Sequence, residues 1–102
     1  MKGYELTTEA QYDLDAIAEY IAIEASVERA IRVLGEFRDA FRKLADMPGM
    51  GHFREDLLDQ RYKFWSVYSY VIAYRWEVSP IQIIAVVHGA RNLDAFFGRR
   101  AP

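Results

Sequence analysis

The 102-residue sequence contains no cysteine, which excludes a disulfide-stabilised scaffold, a thiolate zinc site and a cysteine nucleophile. It has only 3 prolines, and 52% of its residues are hydrophobic, which excludes a disordered or low-complexity chain. No apolar run approaches the roughly 20 residues of a membrane span, and the N-terminal segment lacks the apolar core of a signal peptide. We therefore expect a single cytoplasmic domain over residues 1–102, with one hydrophobic core and no membrane partner.

Charge is unevenly distributed, although the formal net charge is only -2. Residues 1–51 carry six basic and ten acidic side chains, whereas residues 52–102 carry seven basic and five acidic ones. The two halves therefore have net charges of -4 and +2. Because domains that bind nucleic acids usually present a strongly basic face, an overall pI near 5.6 disfavours direct nucleic-acid binding. A local basic patch remains compatible with this balance.

Two apolar stripes with helical spacing occupy the first half. The first helix is predicted to begin after Thr7 or Thr8 as N-cap, with Thr8 and Gln11 forming a capping box. The second begins after Ser26 as N-cap and ends before Pro48-Gly49-Met50-Gly51, which cannot continue a helix. The short link between them predicts an antiparallel hairpin. The two stripes consist of Ala10, Leu14, Ile17, Ala18, Ile21 and Ala25, and of Ala30, Leu34, Phe37, Phe41, Leu44 and Ala45.

The second half is rich in β-branched and aromatic residues, which are typical of strands. Strands are predicted at Tyr62–Val67, at 70–77 and at Ile81–His88, joined by turns short enough for an antiparallel meander. A further short strand is predicted at Tyr4–Leu6, and residues 93–97 are predicted to form a short helix or an apolar tail. The resulting order is β-α-α-β-β-β, an α+β fold in which a helical hairpin packs on a small, mainly antiparallel sheet.

Few residues offer catalytic chemistry. No glycine-rich phosphate loop follows a strand. The two histidines, His52 and His88, do not have the spacing of a metal-binding pair, and neither a metal site nor a cofactor is expected. His88 and Arg91 form a polar cluster at the end of the last predicted strand. We interpret this cluster as hydrogen-bonding groups at the sheet edge, with a patch for a phosphate or a partner as the functional alternative.

Basic and aromatic residues alternate around the predicted strands. The basic residues Arg61, Lys63 and Arg75 have aromatic neighbours that could stack bases while the cations hold phosphates. The favoured interpretation is structural, with the aromatic rings filling the core and the basic side chains remaining in water. The acidic first helix also disfavours a phosphate backbone as partner and would suit a basic or mixed protein surface, since its charged residues are Glu9, Asp13, Asp15, Glu19 and Glu24.

Four stretches, in order and at the right spacing, resemble the ParE toxins of the RelE/ParE superfamily. The first resembles the opening of these toxins, the second their segment after the helical hairpin, the third their central β-hairpin and the fourth the end of their last strand. The β-α-α-β-β-β order is also the fold that this resemblance implies. The stretches are Tyr4-Glu5-Leu6-Thr7 with Glu9-Ala10, Asp13-Leu14, Ile17 and Tyr20-Ile21; Leu44-Ala45 with Pro48-Gly49-Met50-Gly51 and Arg54-Glu55-Asp56-Leu57; Phe64-Trp65 with Tyr70-Val71-Ile72-Ala73-Tyr74-Arg75; and Val87-His88-Gly89-Ala90-Arg91-Asn92-Leu93.

The resemblance implies the toxin of a bacterial type II toxin–antitoxin module that is neutralised by a ParD-like antitoxin. ParE-like toxins are thought to inhibit DNA gyrase and so block replication. The toxin–antitoxin complex would repress its own operon, with operator DNA contacted only through the antitoxin. This interpretation assigns the chain no catalytic residue. The side chains that are candidates for partner contact are Arg54, Arg75, His88, Arg91, Arg99 and Arg100.

The same fold also supports ribosome-dependent mRNA endonucleases such as RelE and YoeB. These enzymes need cations to stabilise the phosphorane and an acid–base pair to move protons. His88 is followed by Gly89, where YoeB-like members have a tyrosine, and Phe96 and Phe97 stand where RelE-like members have one. We therefore expect inhibition by binding, with mRNA cleavage as the alternative. The catalytic candidates for that alternative are His88, Arg75, Arg61, Lys63 and Arg91.

Overall fold

The computed structural model describes residues 3–54 and 60–89, and these ranges confirm the predicted α+β fold. The prediction for residues 93–97 lies outside the described residues. In residues 3–54 and 60–89 neither helix has the combined length and apolarity to cross a membrane. The elements in chain order are β1 (Tyr4–Leu6), α1 (Thr8–Glu24), α2 (Val27–Asp46), a 3₁₀ turn (Pro48–Met50), β2 (Tyr62–Val67), β3 (Tyr70–Arg75) and β4 (Ile81–His88).

The four strands form one sheet in the order β1-β4-β3-β2. The β2–β3 and β3–β4 pairs are antiparallel, and β1 is parallel to β4, so the prediction of a mainly antiparallel sheet is confirmed. The helical hairpin connects β1 to the meander and covers one face of the sheet. β3 ends at Arg75 and not at residue 77, because residues 76–80 form the connection to β4.

Threonine caps α1 one residue earlier than the predicted capping box requires. The N-cap is Thr7, whose hydroxyl oxygen accepts a hydrogen bond from the Ala10 N–H at 3.1 Å. The predicted pairing of Thr8 with Gln11 is therefore wrong, and the Gln11 amide donates to Asp15 at 3.0 Å. The Thr7 hydroxyl also lies 3.2 Å from the Ile83 carbonyl oxygen, which attaches the start of α1 to β4.

The N-cap of α2 is Ser26, as predicted, and its hydroxyl oxygen accepts from the Arg29 N–H at 3.1 Å. Most of the predicted stripe residues face the sheet, with Phe37 and Phe41 fully buried. Each such aromatic side chain contributes about 1.5–3 kcal/mol through burial. Ala25 is an exception, since it forms the exposed C-cap of α1. The buried residues of α2 that the predicted stripe omitted are Val33 and Ala40.

Candidate functional site

Antiparallel pairing separates the predicted catalytic candidates. His88 pairs with Tyr70 at one end of the sheet, and Arg75 pairs with Tyr62 at the other end. The five-residue step along β3 from Tyr70 to Arg75 corresponds to about 17 Å at the usual rise of a strand. Arg61 immediately precedes Tyr62 and lies at the Arg75 end. The imidazole and these guanidinium groups therefore do not converge on one site.

Lys63 and Arg75 lie at the same end but on opposite faces of the sheet. Lys63 pairs with Tyr74, whereas Arg75 pairs with Tyr62. Because successive residues of a strand point to opposite faces, these two cations cannot act together on one substrate. The remaining basic candidates, Arg91, Arg99 and Arg100, lie outside the described residues.

The ammonium group of Lys63 is held by the structure itself. Its Nζ atom lies 4.6 Å from the ring centroid of Phe53 and 4.6 Å from that of Trp76. The same ammonium donates a hydrogen bond to the Gly49 carbonyl oxygen at 2.9 Å. The expectation that the basic side chains simply remain in water is therefore wrong for Lys63, which ties the segment after α2 to the sheet.

The guanidinium groups of Arg54 and Arg61 also lie over aromatic rings. The Arg54 guanidinium lies 5.9 Å from the centroid of Phe64, and the Arg61 guanidinium lies 5.3 Å from that of Tyr62. Both rings are buried, as is Tyr74. They cannot offer the exposed faces on which bases stack, so the structural interpretation of the aromatic residues is confirmed for these three.

His88 lies at the mouth of a cleft of about 340 Å³ between α1 and the end of β4. We call it the helix cleft; Asp13, Tyr20, Tyr70 and His88 are among its lining residues. The imidazole packs edge-on against Tyr70, with ring centroids 5.7 Å apart. Within residues 3–54 and 60–89 no group of acidic and histidine side chains is arranged to hold a metal ion.

A second cleft of about 320 Å³ lies on the other side of Tyr70. We call it the turn cleft, because the β2–β3 turn forms one wall and the first half of α2 forms another. None of the site residues that were predicted from the sequence and that the structure describes lies in it, although the sequence carries one signal for it, a two-residue turn without glycine or asparagine. Six of its lining residues are Ile21, Arg29, Arg32, Val33, Tyr68 and Tyr70.

Tyr68 has an unusual backbone conformation in this turn. Its φ angle is 56°, in the left-handed region, which costs a non-glycine residue about 1–2 kcal/mol. Its side chain is 69% exposed, so burial recovers little of that cost. A hydrogen bond to the Glu36 carboxylate, followed by desolvation, raises the pKa of the Tyr68 hydroxyl above 10.0. The aromatic ring is thus presented to solvent at the rim of the turn cleft.

Large apolar side chains are also exposed along the helical hairpin. On α1, Tyr12 and Ile23 lie opposite the buried stripe, whereas Tyr20 lies beside it and lines the helix cleft. Large apolar side chains exposed in this way are available for contacts with a protein partner. The exposed apolar residues of the hairpin are Tyr12, Tyr20, Ile23, Val27 and Ile31.

Comparisons with known proteins agree with the fold and the predicted family. Residues 4–93 match a family model described as the ParE toxin of the type II toxin–antitoxin system parDE. The curated Toxin ParE1 of Caulobacter vibrioides is 35% identical over 98 residues, which cover 96% of this chain and 100% of that protein. A solved structure of the chromosomal ParDE system from P. aeruginosa has a TM-score of 0.72 at 19% identity, over 86% of this chain and 96% of that one. This chain belongs to the ParE toxin family of type II toxin–antitoxin systems.

Proposed function

We propose that this chain inhibits DNA gyrase by binding to it, and that a ParD-like antitoxin neutralises it in the bacterial cytoplasm. The complex with the antitoxin would repress the shared operon, with the antitoxin making the contacts to operator DNA. Membership of the ParE family supports this assignment. The exposed apolar residues of the helical hairpin provide a surface for protein contacts.

The observation that carries the choice between binding and catalysis is the separation of His88 from Arg75 and Lys63. Ribonucleolytic cleavage needs an acid–base pair and a cation around one phosphate. Strand pairing places His88 at the opposite end of the sheet from Arg75, and the ammonium of Lys63 is already held by two rings and a carbonyl oxygen. This arrangement favours a docking protein over an mRNA endonuclease.

Two assays on the purified chain separate the mechanisms. In the first, gyrase supercoiling and gyrase-dependent DNA cleavage are measured with increasing amounts of the chain; we expect slower supercoiling and trapped cleaved DNA. In the second, translating ribosomes are incubated with the chain, and we expect the mRNA to stay intact. Ribosome-dependent mRNA cleavage with unaffected gyrase would contradict the proposal.

The histidines provide matched variants for the same question. His88→Ala removes the exposed imidazole at the helix cleft, and His52→Ala removes an imidazole that stacks on Trp65 with ring centroids 6.0 Å apart. If the chain acts by binding, both folded variants should still stop growth when expressed alone. Loss of toxicity in a folded His88→Ala variant, with His52→Ala still toxic, would favour catalysis.

The antitoxin part has its own test. The gene adjacent to that of this chain should encode a small protein with a DNA-binding N-terminal part. Co-expression of that protein should restore growth, and the two should co-purify. A chain that is harmless when expressed alone at high level would contradict the assignment as an active toxin.

A further inference from the structure

The turn cleft is bordered by a tyrosine in a strained backbone conformation. Tyr68 takes a positive φ of 56° at the first residue of a two-residue turn, a position at which such hairpins favour glycine or asparagine. Its large ring gains little burial in this position. Its hydroxyl is hydrogen-bonded to the Glu36 carboxylate, which is itself a lining residue of the cleft. Backbone strain of this kind is concentrated at binding and catalytic sites. The strained tyrosine therefore makes the cleft beside it a candidate binding site.

The walls of the turn cleft have a definite chemistry. Ile21, Val33 and Tyr70 provide apolar surface, and Tyr70 is held edge-on by Phe37 with ring centroids 5.6 Å apart. Arg29 and Arg32 contribute two positive charges, against the single negative charge of Glu36. The cleft thus offers a rigid apolar surface beside a net positive charge.

Within residues 3–54 and 60–89, neither guanidinium takes part in an ion pair. Within the described part of the chain, the ion pair that forms on α2 joins Arg42 to Asp39, away from the cleft. Arg29 and Arg32 are exposed and free to meet a carboxylate in the paired geometry that guanidinium groups favour. Tyrosine and arginine are also the residue types that most often carry the binding energy of protein interfaces.

We propose that the turn cleft binds an acidic segment of the antitoxin, with a carboxylate on Arg29 and Arg32 and an adjacent apolar side chain against Tyr70. This inference rests on the proposed function, since it names a contact surface for that antitoxin. A volume of about 320 Å³ accommodates one or two side chains and is close to the lower limit of small-molecule pockets. Tyr68, whose hydroxyl is hydrogen-bonded to Glu36, would contact the inserted side chain from the turn.

The charge distribution of the helical hairpin favours a partner segment with a negative charge. α1 carries five acidic side chains and no basic one, so an acidic segment is repelled along α1 and attracted at the start of α2. This contrast orients the segment as it approaches. A basic segment would have the opposite preference and would leave both arginines of the turn cleft facing like charge.

The first test uses Tyr68→Gly and the purified antitoxin encoded by the adjacent gene. Affinity for the wild-type chain and the variant is measured by titration calorimetry. We expect the variant to bind at least about tenfold more weakly. Because glycine adopts a positive φ without strain, the variant should melt no lower than the wild type, which shows that the loss is not due to unfolding. The matched control is Met47→Ala, which removes an apolar side chain that is 62% exposed at the end of α2, away from the turn cleft, and should change the affinity by less than about twofold.

The second test reverses the charge at the cleft. The double variant Arg29→Glu/Arg32→Glu should bind about tenfold or more weakly, and its affinity should depend less on ionic strength than that of the wild type. The control is Arg38→Glu/Lys43→Glu, which makes the same change in net charge on the same helix, away from the turn cleft. The control should retain most of the affinity and the salt dependence.

The outcomes separate this inference from the proposed function. If the antitoxin binds the wild-type chain and binds the cleft variants equally well, the inference is wrong and the proposed function stands. An equal loss of affinity in the control variants would overturn the inference in the same way. If the antitoxin does not bind the wild-type chain, both are wrong. A dimer of this chain that Tyr68→Gly dissociates would assign the cleft to a second copy and would also overturn the inference.

Discussion

Gly51 and Tyr74 lie in direct contact, with the Gly51 N–H donating a hydrogen bond to the Tyr74 hydroxyl oxygen at 2.9 Å. The same hydroxyl donates to the Pro48 carbonyl oxygen at 2.7 Å. One buried phenol on β3 therefore holds both ends of the segment Pro48–Gly51. Together with Lys63, it fixes the connection that leaves α2.

Gly51→Ala should strongly destabilise the chain. A Cβ atom at this position would lie 2.8 Å from Tyr74 Cε1 and 3.0 Å from the Phe64 carbonyl oxygen, and the backbone oxygen cannot move without disturbing β2. We expect a loss of about 1–3 kcal/mol in the free energy of unfolding, measured by urea denaturation.

The matched control is Gly35→Ala. Apart from the adjacent residues and the nearby backbone of α2, no atom lies within 4 Å of a Cβ built on Gly35, so packing does not require a small residue there. Because alanine is the better helix former, this substitution should stabilise the chain by about 1 kcal/mol. Destabilisation by Gly35→Ala would contradict the open space at this position, and a neutral Gly51→Ala would contradict the close contact with Tyr74.

Tyr74→Phe tests the hydrogen bonds of the phenol at neutral pH. The substitution keeps the ring in the core but leaves the Gly51 N–H and the Pro48 carbonyl without this partner. We expect the free energy of unfolding to fall by about 1–3 kcal/mol. Tyr12→Phe, which removes an exposed hydroxyl from α1, should change it by less than about 0.5 kcal/mol.

Alkaline pH should destabilise the chain through the same residue. Burial raises the pKa of Tyr74 above 10.0, and the hydrogen bond from the Gly51 backbone opposes this shift. The folded state therefore keeps the phenolic proton at a pH at which the unfolded chain has lost it. The contribution of Tyr74 to the free energy of unfolding is fully present below about pH 10 and is lost as the pH rises through the pKa of the folded state. The loss is at most about 1.4 kcal/mol per pH unit, because one proton is involved.

Urea denaturation as a function of pH measures this dependence. In Tyr74→Phe the contribution of residue 74 is absent, so stability should fall less steeply above pH 10 than in the wild type. Tyr68 also has a raised pKa, and Tyr68→Phe reports its share separately. Parallel slopes for Tyr74→Phe and the wild type would show that Tyr74 is not the titrating group.

The helices and strands could be predicted from the sequence because the periodicity of apolar residues that defines them is local. The strand bounds of Tyr62–Val67 and Ile81–His88 were predicted to the residue, since the runs of aromatic and β-branched residues are interrupted at Ser69 and at Ser79-Pro80 and end before Gly89. Thr7 and Thr8 fit the N-cap equally well by sequence. The choice is made by a tertiary contact, the bond from Thr7 to the Ile83 carbonyl oxygen, which no local pattern contains.

The sites were less predictable because they depend on register and on distant contacts. His88 and Arg75 were predicted together by residue type, but strand pairing places them at opposite ends of the sheet. The contact between Gly51 and Tyr74 joins residues 23 positions apart. The turn cleft arises where the β2–β3 turn meets α1 and α2, and the positive φ of Tyr68 contradicts the ordinary preference of tyrosine.

Asp13→Ala should weaken the attachment of α1 to β4. Asp13 Oδ2 accepts a hydrogen bond from the Val86 N–H at 3.0 Å, and a partly buried N–H without its charged partner costs about 1.5–3 kcal/mol. The control is Asp15→Ala, whose carboxylate accepts an exposed bond from Gln11 and should contribute less than about 0.5 kcal/mol. Equal effects in thermal melts would contradict a special role of Asp13.

Lys63→Met separates a structural role of the ammonium from a catalytic one. Methionine preserves most of the apolar stem but cannot donate to the Gly49 carbonyl or interact as a cation with the rings of Phe53 and Trp76. We expect a loss of about 1–2 kcal/mol in the free energy of unfolding and unchanged toxicity at temperatures at which the variant is folded.

Lys43→Met, at the exposed end of α2, should alter the free energy of unfolding by less than about 0.5 kcal/mol. A Lys63→Met variant with wild-type stability and no toxicity would place this ammonium in a functional site and contradict the structural role.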